Sequence, residues 1–419
     1  MKSDASPRVP FLKAGHLPTL LSAFLYFDVS FMVWVLLGAL GNHMAADLNL
    51  TPAQKGLMTA VPLLGGSILR LALGFLGDRI GPRRAALTGL MLTLIPLVGG
   101  WLWAQTLGEV YCVGLLLGVA GASFAVALPM ASRWYPPGHQ GLAMGIAGAG
   151  NSGTIIASLL APRLAEAYGW HAVFGFAVIP ILVVSGVVFF LAKDAPSSAK
   201  PADLSEYQVI LKERDTYLFS LFYGVTFGGF VGFASFLPIL LRDQYGIDKV
   251  TAGDLTTLCV LAGSGMRPLG GFLADKLGGI RMLLGLYAGV GALAFSMAQL
   301  PSLSRGVLLL FLFLACLGMG NGSVFQLVPQ RFGKRVGIIT GIVGAAGGLG
   351  GFFLPTGFGF LKQTTGSYAD GFAVFGGAAA MALLALLAAQ REWVGRWVAQ
   401  GGLVHGAVTE IPIHETETA

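Results

Sequence analysis

Charged residues are scarce in this 419-residue sequence. Only 11% are Asp, Glu, Lys or Arg, whereas a soluble domain carries about 25%. A chain with so little polar surface cannot be an ordinary soluble domain, and the mean hydropathy of +0.75 predicts a protein of the lipid bilayer. Cysteine is also scarce: Cys112, Cys259 and Cys316 fall in apolar segments without metal-ligand spacing, which argues against a disulfide framework or a metal site.

Other signatures are missing as well. The sequence lacks the alternating segments of about ten residues that build a membrane-spanning barrel. It contains no nucleophile–base set, metal cluster or nucleotide-binding loop, so we expect neither an enzyme nor a bound cofactor. The sequence pI near 9.3 reflects the loop charges described below, so we do not predict nucleic-acid binding.

Long apolar segments dominate instead, and each of about 20 residues can cross a bilayer as a helix. They predict an all-α membrane protein of twelve transmembrane helices, arranged as two pseudo-symmetric six-helix bundles. The segments lie roughly at 18–41, 54–76, 85–104, 109–132, 141–162, 171–192, 215–241, 252–274, 280–299, 306–328, 336–361 and 370–390.

Charge placement predicts the orientation of these helices. Of the 26 Lys and Arg residues, 18 lie in the termini and on one side of the helices, 6 lie on the other side, and 2 lie inside apolar segments. The positive-inside rule then places both termini in the cytoplasm. We expect a multi-pass monomer in the cytoplasmic (inner) membrane.

The sequence divides into two similar halves. Gly66–Arg70 is repeated as Gly263–Arg267, and 8 of the 16 positions from Gly66 to Gly81 are identical 197 residues later. We expect an N-terminal bundle at 1–192, a cytoplasmic linker at 193–214, a C-terminal bundle at 215–390 and a cytoplasmic tail at 391–419. Two similar halves around a central site are typical of transporters that rock between two openings.

The two arginines inside apolar segments are Arg70 and Arg267. A charged side chain at mid-bilayer costs about 3 kcal/mol on insertion scales, so such residues are rare and usually functional. Two of the same sign, at equivalent places in the repeat, predict a central site for an anion. The alternative is a structural arginine paired with a buried acid.

The segment that follows the second helix combines glycines, an acid and basic residues, from Gly74 to Arg84. It resembles the cytoplasmic loop signature of the major facilitator superfamily, and a degraded copy runs from Gly271 to Arg281. The resemblance implies the major facilitator fold, and a conformational role for Asp78, Arg79 and Asp275 without substrate contact.

Two helices are unusually rich in glycine, Gly145–Gly153 and Gly341–Gly351. The first contains a literal G-x-G-x-x-G, but no strand precedes it, so a dinucleotide site is rejected. Close helix packing explains part of the glycine content. Together with the first-helix segment Phe24–Phe31, these helices resemble the signatures of the nitrate/nitrite porter family.

That resemblance covers the whole chain and implies transport of nitrate, and also of nitrite. It implies that two guanidinium groups hold the anion while an amide, a hydroxyl, aromatic rings and glycines surround it. A planar guanidinium offers paired donors that match the oxygens of a planar anion, which a lysine cannot do. The implied substrate-binding residues are Arg70, Arg267, Asn151, Tyr223, Phe124, Phe227, Gly148 and Gly344.

Energetics limits how such a transporter is driven. Moving an anion into an inside-negative cell costs about 2.3 kcal/mol per 100 mV, so uptake requires co-transported protons or exchange for an outgoing anion. Asp28, in the middle of the first helix, is the candidate proton carrier, and proton-coupled nitrate uptake is slightly favoured for that reason. Nitrate/nitrite exchange, transport of another small monovalent anion such as a carboxylate, and a structural role for Asp28 remain open.

Overall fold

The computed structural model describes residues 10–196 and 204–403. The predicted linker at 193–214 and tail at 391–419 therefore lie partly outside the described residues. The part of the linker that is described contains a short helix, Leu204–Lys212. A second short helix, Phe11–Ala14, precedes the first membrane helix.

Six long helices form the N-terminal half, and three of them are interrupted. Their bounds are α1 at Leu17–Trp34, Leu36–Ala39 and Gly41–Asp47; α2 at Pro52–Ile80; α3 at Pro82–Leu102; α4 at Leu107–Gly121 and Phe124–Ser132; α5 at Pro137–Gly148 and Gly153–Tyr168; and α6 at Trp170–Leu191.

Six more helices form the C-terminal half. Their bounds are α7 at Arg214–Tyr223 and Gly229–Tyr245; α8 at Lys249–Leu277; α9 at Gly279–Met297; α10 at Leu303–Phe332; α11 at Val336–Thr365; and α12 at Ala369–Trp393. Within the described ranges, the extended structure is limited to one isolated bridge between Val394 and Val398. The prediction of an all-α fold is confirmed.

Eleven of the described helices are long and apolar enough to cross a membrane. The remaining long helix, α8, has 29 residues and is more polar because it contains threonines, Asp254 and Arg267. Its polar positions are explained by its place in the fold: α8 packs against α10 within its own half and against α5 of the other half.

The interruptions differ in sequence: α1 is broken at Val35 and Leu40, and α4 at Ala122 and Ser123. A 3₁₀ turn, Ala149–Ser152, divides α5, and a π turn, Gly224–Gly228, divides α7. Such turns in membrane helices often mark functional sites. In α5 the reason is close packing, because a side chain at Gly150 would lie 2.8 Å from the backbone nitrogen of Asp28 in α1.

The two halves meet along α2 and α11, and along α5 and α8. On the face opposite the chain termini they are held together by polar contacts. Lys55 pairs with Asp243 at 2.9 Å, and Arg163 pairs with Asp254 at 2.5 Å. These contacts describe a conformation that is closed on that face.

Candidate functional site

Arg70 lies at the centre of the contact between the halves, in α2. Its side chain is buried, with a relative exposure of 1%. Nη2 donates to the Gly121 carbonyl of α4 at 2.9 Å, and Nη1 donates to the Gly344 carbonyl of α11. Arg70 thus joins α2 to the opposite half, while its Nε has no hydrogen-bond partner.

Arg267 occupies the equivalent position in α8, and its side chain is partly exposed. The guanidinium carbons of Arg70 and Arg267 lie 5.4 Å and 5.7 Å from the centre of the same ring, Phe124. The two cationic groups, one from each half, therefore lie close to the same aromatic ring. The Nη1 atom of Arg267 is buried without a partner.

In the part of the chain that the structure describes, no carboxylate neutralises this pair. Among residues 10–196 and 204–403, the ion pairs join other side chains, and neither central guanidinium lies within ion-pair distance of an acid. The hypothesis that the arginines are structural partners of buried acids is therefore not supported. Two like charges without a counter-ion at mid-membrane favour an anion between them.

Aromatic rings surround the arginines. Trp34 and Phe227 lie 5.9 Å and 5.7 Å from the Arg70 guanidinium carbon. The Tyr223 ring is stacked on Phe227, with centres 4.9 Å apart and planes 1° from parallel. Phe325 meets Tyr223 edge-on at 4.9 Å. These rings exclude water and present flat faces, which suits a small planar ligand.

Two further polar groups of the predicted site are buried without partners. The Tyr223 hydroxyl lies near Arg267 but forms no satisfactory hydrogen bond. Asn151, in the 3₁₀ turn of α5, is 1% exposed, and neither atom of its amide is paired. Because buried polar groups normally have partners, these unpaired groups indicate a ligand that accepts hydrogen bonds.

The two predicted signature glycines differ in their surroundings. A side chain at Gly344 would lie 3.0 Å from Nη1 and 3.3 Å from Cδ of Arg70, so this glycine makes room for the guanidinium. At Gly148, the nearest atom to an added side chain belongs to Leu128, at 3.8 Å. The structure therefore brings Gly344 to the arginine pair and places Gly148 beside α4.

Asp28 lies apart from the arginine pair. It is buried in α1, and its carboxylate accepts a hydrogen bond from the Ser152 hydroxyl at 2.6 Å. The backbone N–H of Gly153 also donates to it. Asp28 thus holds α1 against the 3₁₀ turn of α5, next to Asn151, and it is not a counter-ion of either arginine.

The three residues predicted to have a conformational role lie at the ends of α2 and α8 nearest the chain termini. Asp78 pairs with Arg133 of α4 at 2.7 Å, and the Arg79 guanidinium covers the Phe75 ring at 4.2 Å. The Asp275 carboxylate lies beside the Gln326 amide of α10. These contacts stay within one half each.

Sequence reasoning missed two of the aromatic rings, Trp34 and Phe325. The Trp34 indole donates to the Pro62 carbonyl at 2.7 Å, and its ring is covered by Gly66 and Gly121. Aromatic residues are common in apolar helices, so neither carried a signal comparable to a buried charge. The glycines that cover Trp34 were the only available sign.

Comparison with known proteins agrees with this architecture. The family model of the Major Facilitator Superfamily matches residues 22–355. A D-xylose–proton symporter of known structure aligns over 94% of this chain and 100% of its own, with a TM-score of 0.69 and 17% identity. A bacterial homologue of the lysosomal transporter Spinster aligns with a TM-score of 0.61 and 18% identity, over 89% of this chain and 94% of its own. The chain belongs to the major facilitator superfamily, whose fold it has.

Relatives of higher sequence identity identify the family within this superfamily. The nitrite extrusion protein of Bacillus subtilis is 35% identical over 343 residues, which cover 82% of this chain and 86% of the relative. The probable nitrate/nitrite transporter NarK2 of Mycobacterium tuberculosis is 36% identical, over 78% and 84%. The probable nitrate transporter NarT of Staphylococcus epidermidis is 33% identical, over 80% and 87%. Within the superfamily, the chain is a member of the nitrate/nitrite porter family.

Proposed function

We propose that this protein transports nitrate and nitrite across the cytoplasmic membrane by alternating access. The observation that carries the proposal is the pair of central guanidinium groups, Arg70 and Arg267, which share one aromatic ring and have no carboxylate partner among the described residues. The names of the relatives, which refer to nitrite extrusion and nitrate transport, support the choice of anion.

In this proposal the anion lies between the two arginines. The unpaired Nε of Arg70 and Nη1 of Arg267 donate to its oxygens, as do Tyr223 and Asn151. Phe124 and Phe227 form flat walls that fit a planar ion better than a tetrahedral one. Gly344 makes room for Arg70, and Gly148 lies beside α4. The proposal keeps both glycines as substrate-binding residues, as the family resemblance implies.

Binding and rocking are coupled through charge. Two guanidinium groups repel each other in a site that is shielded from water, so bringing the halves together around an empty site is unfavourable. A bound anion reduces this repulsion and allows the halves to close over it. The contacts Lys55–Asp243 and Arg163–Asp254 then hold one face shut while the other opens.

The topology follows the charge distribution. We place both termini in the cytoplasm and the closed face of this conformation outside, in a bacterial inner membrane. The division into bundles at 1–192 and 215–390, joined by a linker at 193–214 and followed by a tail at 391–419, is part of this proposal. Because each half supplies one arginine, a monomer contains a complete site.

Two modes of energy coupling fit this site. Proton-coupled uptake uses Asp28, the buried acid of α1, which is linked through Ser152 to the turn that contains Asn151. Nitrate/nitrite exchange is favoured by a different observation: Asp28 lies apart from both arginines and receives donors from Ser152 and Gly153, as a structural acid would. Exchange also avoids the electrical cost because it moves no net charge.

Counterflow in proteoliposomes tests the transport proposal. Vesicles are preloaded with unlabelled nitrate, nitrite, chlorate, formate or sulfate. Labelled nitrate should accumulate when nitrate, nitrite or chlorate is inside, and not when sulfate is inside. Arg267→Ala should abolish accumulation. Arg305→Ala, which removes an exposed cation at the start of α10, is the control and should behave as the wild type. Equal counterflow by Arg267→Ala would refute the proposal.

Energy coupling needs a separate experiment. Vesicles without internal anion are placed in nitrate with an inward proton gradient, and uptake is followed as the external pH is varied. Proton coupling predicts uptake that requires the gradient and is lost in Asp28→Asn. Uptake that occurs only when the vesicles contain nitrite would exclude proton coupling and establish exchange.

A further inference from the structure

Asn321 is a polar residue in the middle of the membrane helix α10. Its side chain is fully buried, with a relative exposure of 0%. Neither the Nδ2 nor the Oδ1 atom has a hydrogen-bond partner. A buried amide with both ends unpaired is uncommon, and its position in a membrane helix makes the missing partners more costly.

The repeat places Asn321 at the arginine pair. Phe124 and Asn321 are 197 residues apart, the same spacing that separates Arg70 from Arg267. The packing of the next residue agrees with this register, because Ala125 lies against Gly74 and Gly322 lies against Gly271, its counterpart in α8. Asn321 therefore stands in the C-terminal half where Phe124 stands in the N-terminal half.

Neighbouring residues define the direction of the side chain. Gly320 lies against Thr226 of α7, and Gly322 lies against the Arg267 carbonyl of α8. One turn after Asn321, the Phe325 ring meets Tyr223 at 4.9 Å and Phe124 at 6.1 Å. Residues i and i+4 share a helix face. Asn321 therefore faces the space between α7 and α8, at the depth of Arg267.

We propose that Asn321 is a further anion-binding residue of this transporter, which donates from Nδ2 to an oxygen of the bound nitrate or nitrite. The inference rests on the proposed function. With it, each half contributes one guanidinium and one amide: Arg70 and Asn151 from the first half, Arg267 and Asn321 from the second. The Oδ1 atom is then available to accept from a guanidinium nitrogen or a water molecule at the same site.

The number of hydrogen-bond donors that the anion needs supports this role for Asn321. A nitrate ion has three acceptor oxygens, so it uses more donors than two arginines can direct at it in one plane. Phe124 supplies a flat wall from the first half, and the equivalent position of the second half supplies a donor. The two halves thus differ at this equivalent position, which makes the two sides of the bound ion chemically different.

The test compares nitrate binding by purified wild-type protein with that of Asn321→Leu and Asn321→Asp, measured by titration calorimetry at fixed ionic strength. Loss of one hydrogen bond to a charged ligand should raise the Kd of Asn321→Leu about ten- to hundredfold. Asn321→Asp, which has nearly the same shape, should bind still more weakly because a carboxylate repels the anion.

Ser323→Ala is the control on the same helix. The Ser323 hydroxyl donates to the Met319 carbonyl at 3.0 Å and to the Gly270 carbonyl of α8 at 3.3 Å, on another face of the helix from Asn321, so its removal should leave the Kd unchanged. Thermal unfolding of every variant separates binding from folding: a purely structural role predicts an altered melting temperature with an unchanged Kd. A wild-type Kd in either folded Asn321 variant overturns this inference. Absence of nitrate binding by the wild type would instead refute the proposed function.

Discussion

The ion pair between Lys55 and Asp243 should set the balance between the two orientations of the transporter. The pair joins the halves on the closed face, and both side chains are only 19% exposed. The Tyr368 hydroxyl also donates to Asp243, at 3.1 Å. Because the halves must separate here for this face to open, the pair stabilises only the closed orientation.

The size of this effect follows from the burial of the pair. In Asp243→Asn the side chain can still accept from Tyr368, so the main loss is the attraction to Lys55. A partly buried pair of this kind contributes about 1–2 kcal/mol. The population open on this face should therefore rise about five- to thirtyfold.

Cysteine accessibility measures that population. Ser235 is 1% exposed and its backbone lies against Gly38 of the opposite half, so Ser235→Cys reports opening of this face. In a background without the three native cysteines, Asp243→Asn should raise the rate of labelling by a membrane-impermeant thiol reagent about five- to thirtyfold.

A control variant isolates the contribution of the closed face. Glu392→Gln breaks the exposed pair with Arg214, which lies within the C-terminal half, and should leave the labelling rate unchanged. If Asp243→Asn labels at the wild-type rate while remaining folded, the pair does not hold this face closed and the reasoning is refuted.

Three further predictions concern other parts of the molecule. Gly344→Ala places a methyl group 3.0 Å from Arg70 Nη1 and should weaken nitrate binding about tenfold. Gly341→Ala, with nothing within 4 Å, should not, and equal affinities in calorimetry would show that Gly344 does not make room for the guanidinium. Asp78→Asn removes the ion pair at the end of α2 and should slow transport without changing nitrate affinity; a changed Kd with normal turnover would contradict a conformational role. Asp248 caps the start of α8. Hydrogen bonds from the Thr251 hydroxyl and then from the Thr251 backbone N–H lower the pKa of Asp248. Its ionised form therefore stabilises the fold above about pH 4 and loses this effect as the pH falls through the lowered pKa. Asp248→Ala should reduce the melting temperature at pH 7, and the difference from wild type should shrink below pH 4; a difference that is independent of pH would exclude this explanation.

The fold was predictable because the bilayer imposes a simple rule on sequence. Twelve apolar segments correspond to α1–α12, with ends that differ by a few residues. The breaks inside helices were not predictable from hydropathy. The break in α1 lies beside Gly38, which packs on the Ser235 backbone, and the π turn of α7 packs on α11. The first depends on a contact between the halves and the second on a contact within the C-terminal half, and a local pattern contains neither.

The arginine pair was recognisable because a charge in an apolar segment is conspicuous. Asn321 and Phe325 carry no charge and lie in a helix of ordinary composition, so their role emerges only when α7, α8 and α10 are packed together. The different surroundings of Gly148 and Gly344 were equally hidden, because the two signature motifs look alike. The repeat in sequence predicts equivalent positions, and only the packing reveals where the two halves differ.

Nitrate binding to purified protein tests the central claim most directly. Titration calorimetry should detect one bound nitrate per wild-type chain. Arg70→Lys and Arg267→Lys keep the charge but lose the paired donors, so each should weaken binding about ten- to hundredfold. If both lysine variants bind nitrate as tightly as the wild type, the two guanidinium groups do not form the anion site and the account is contradicted.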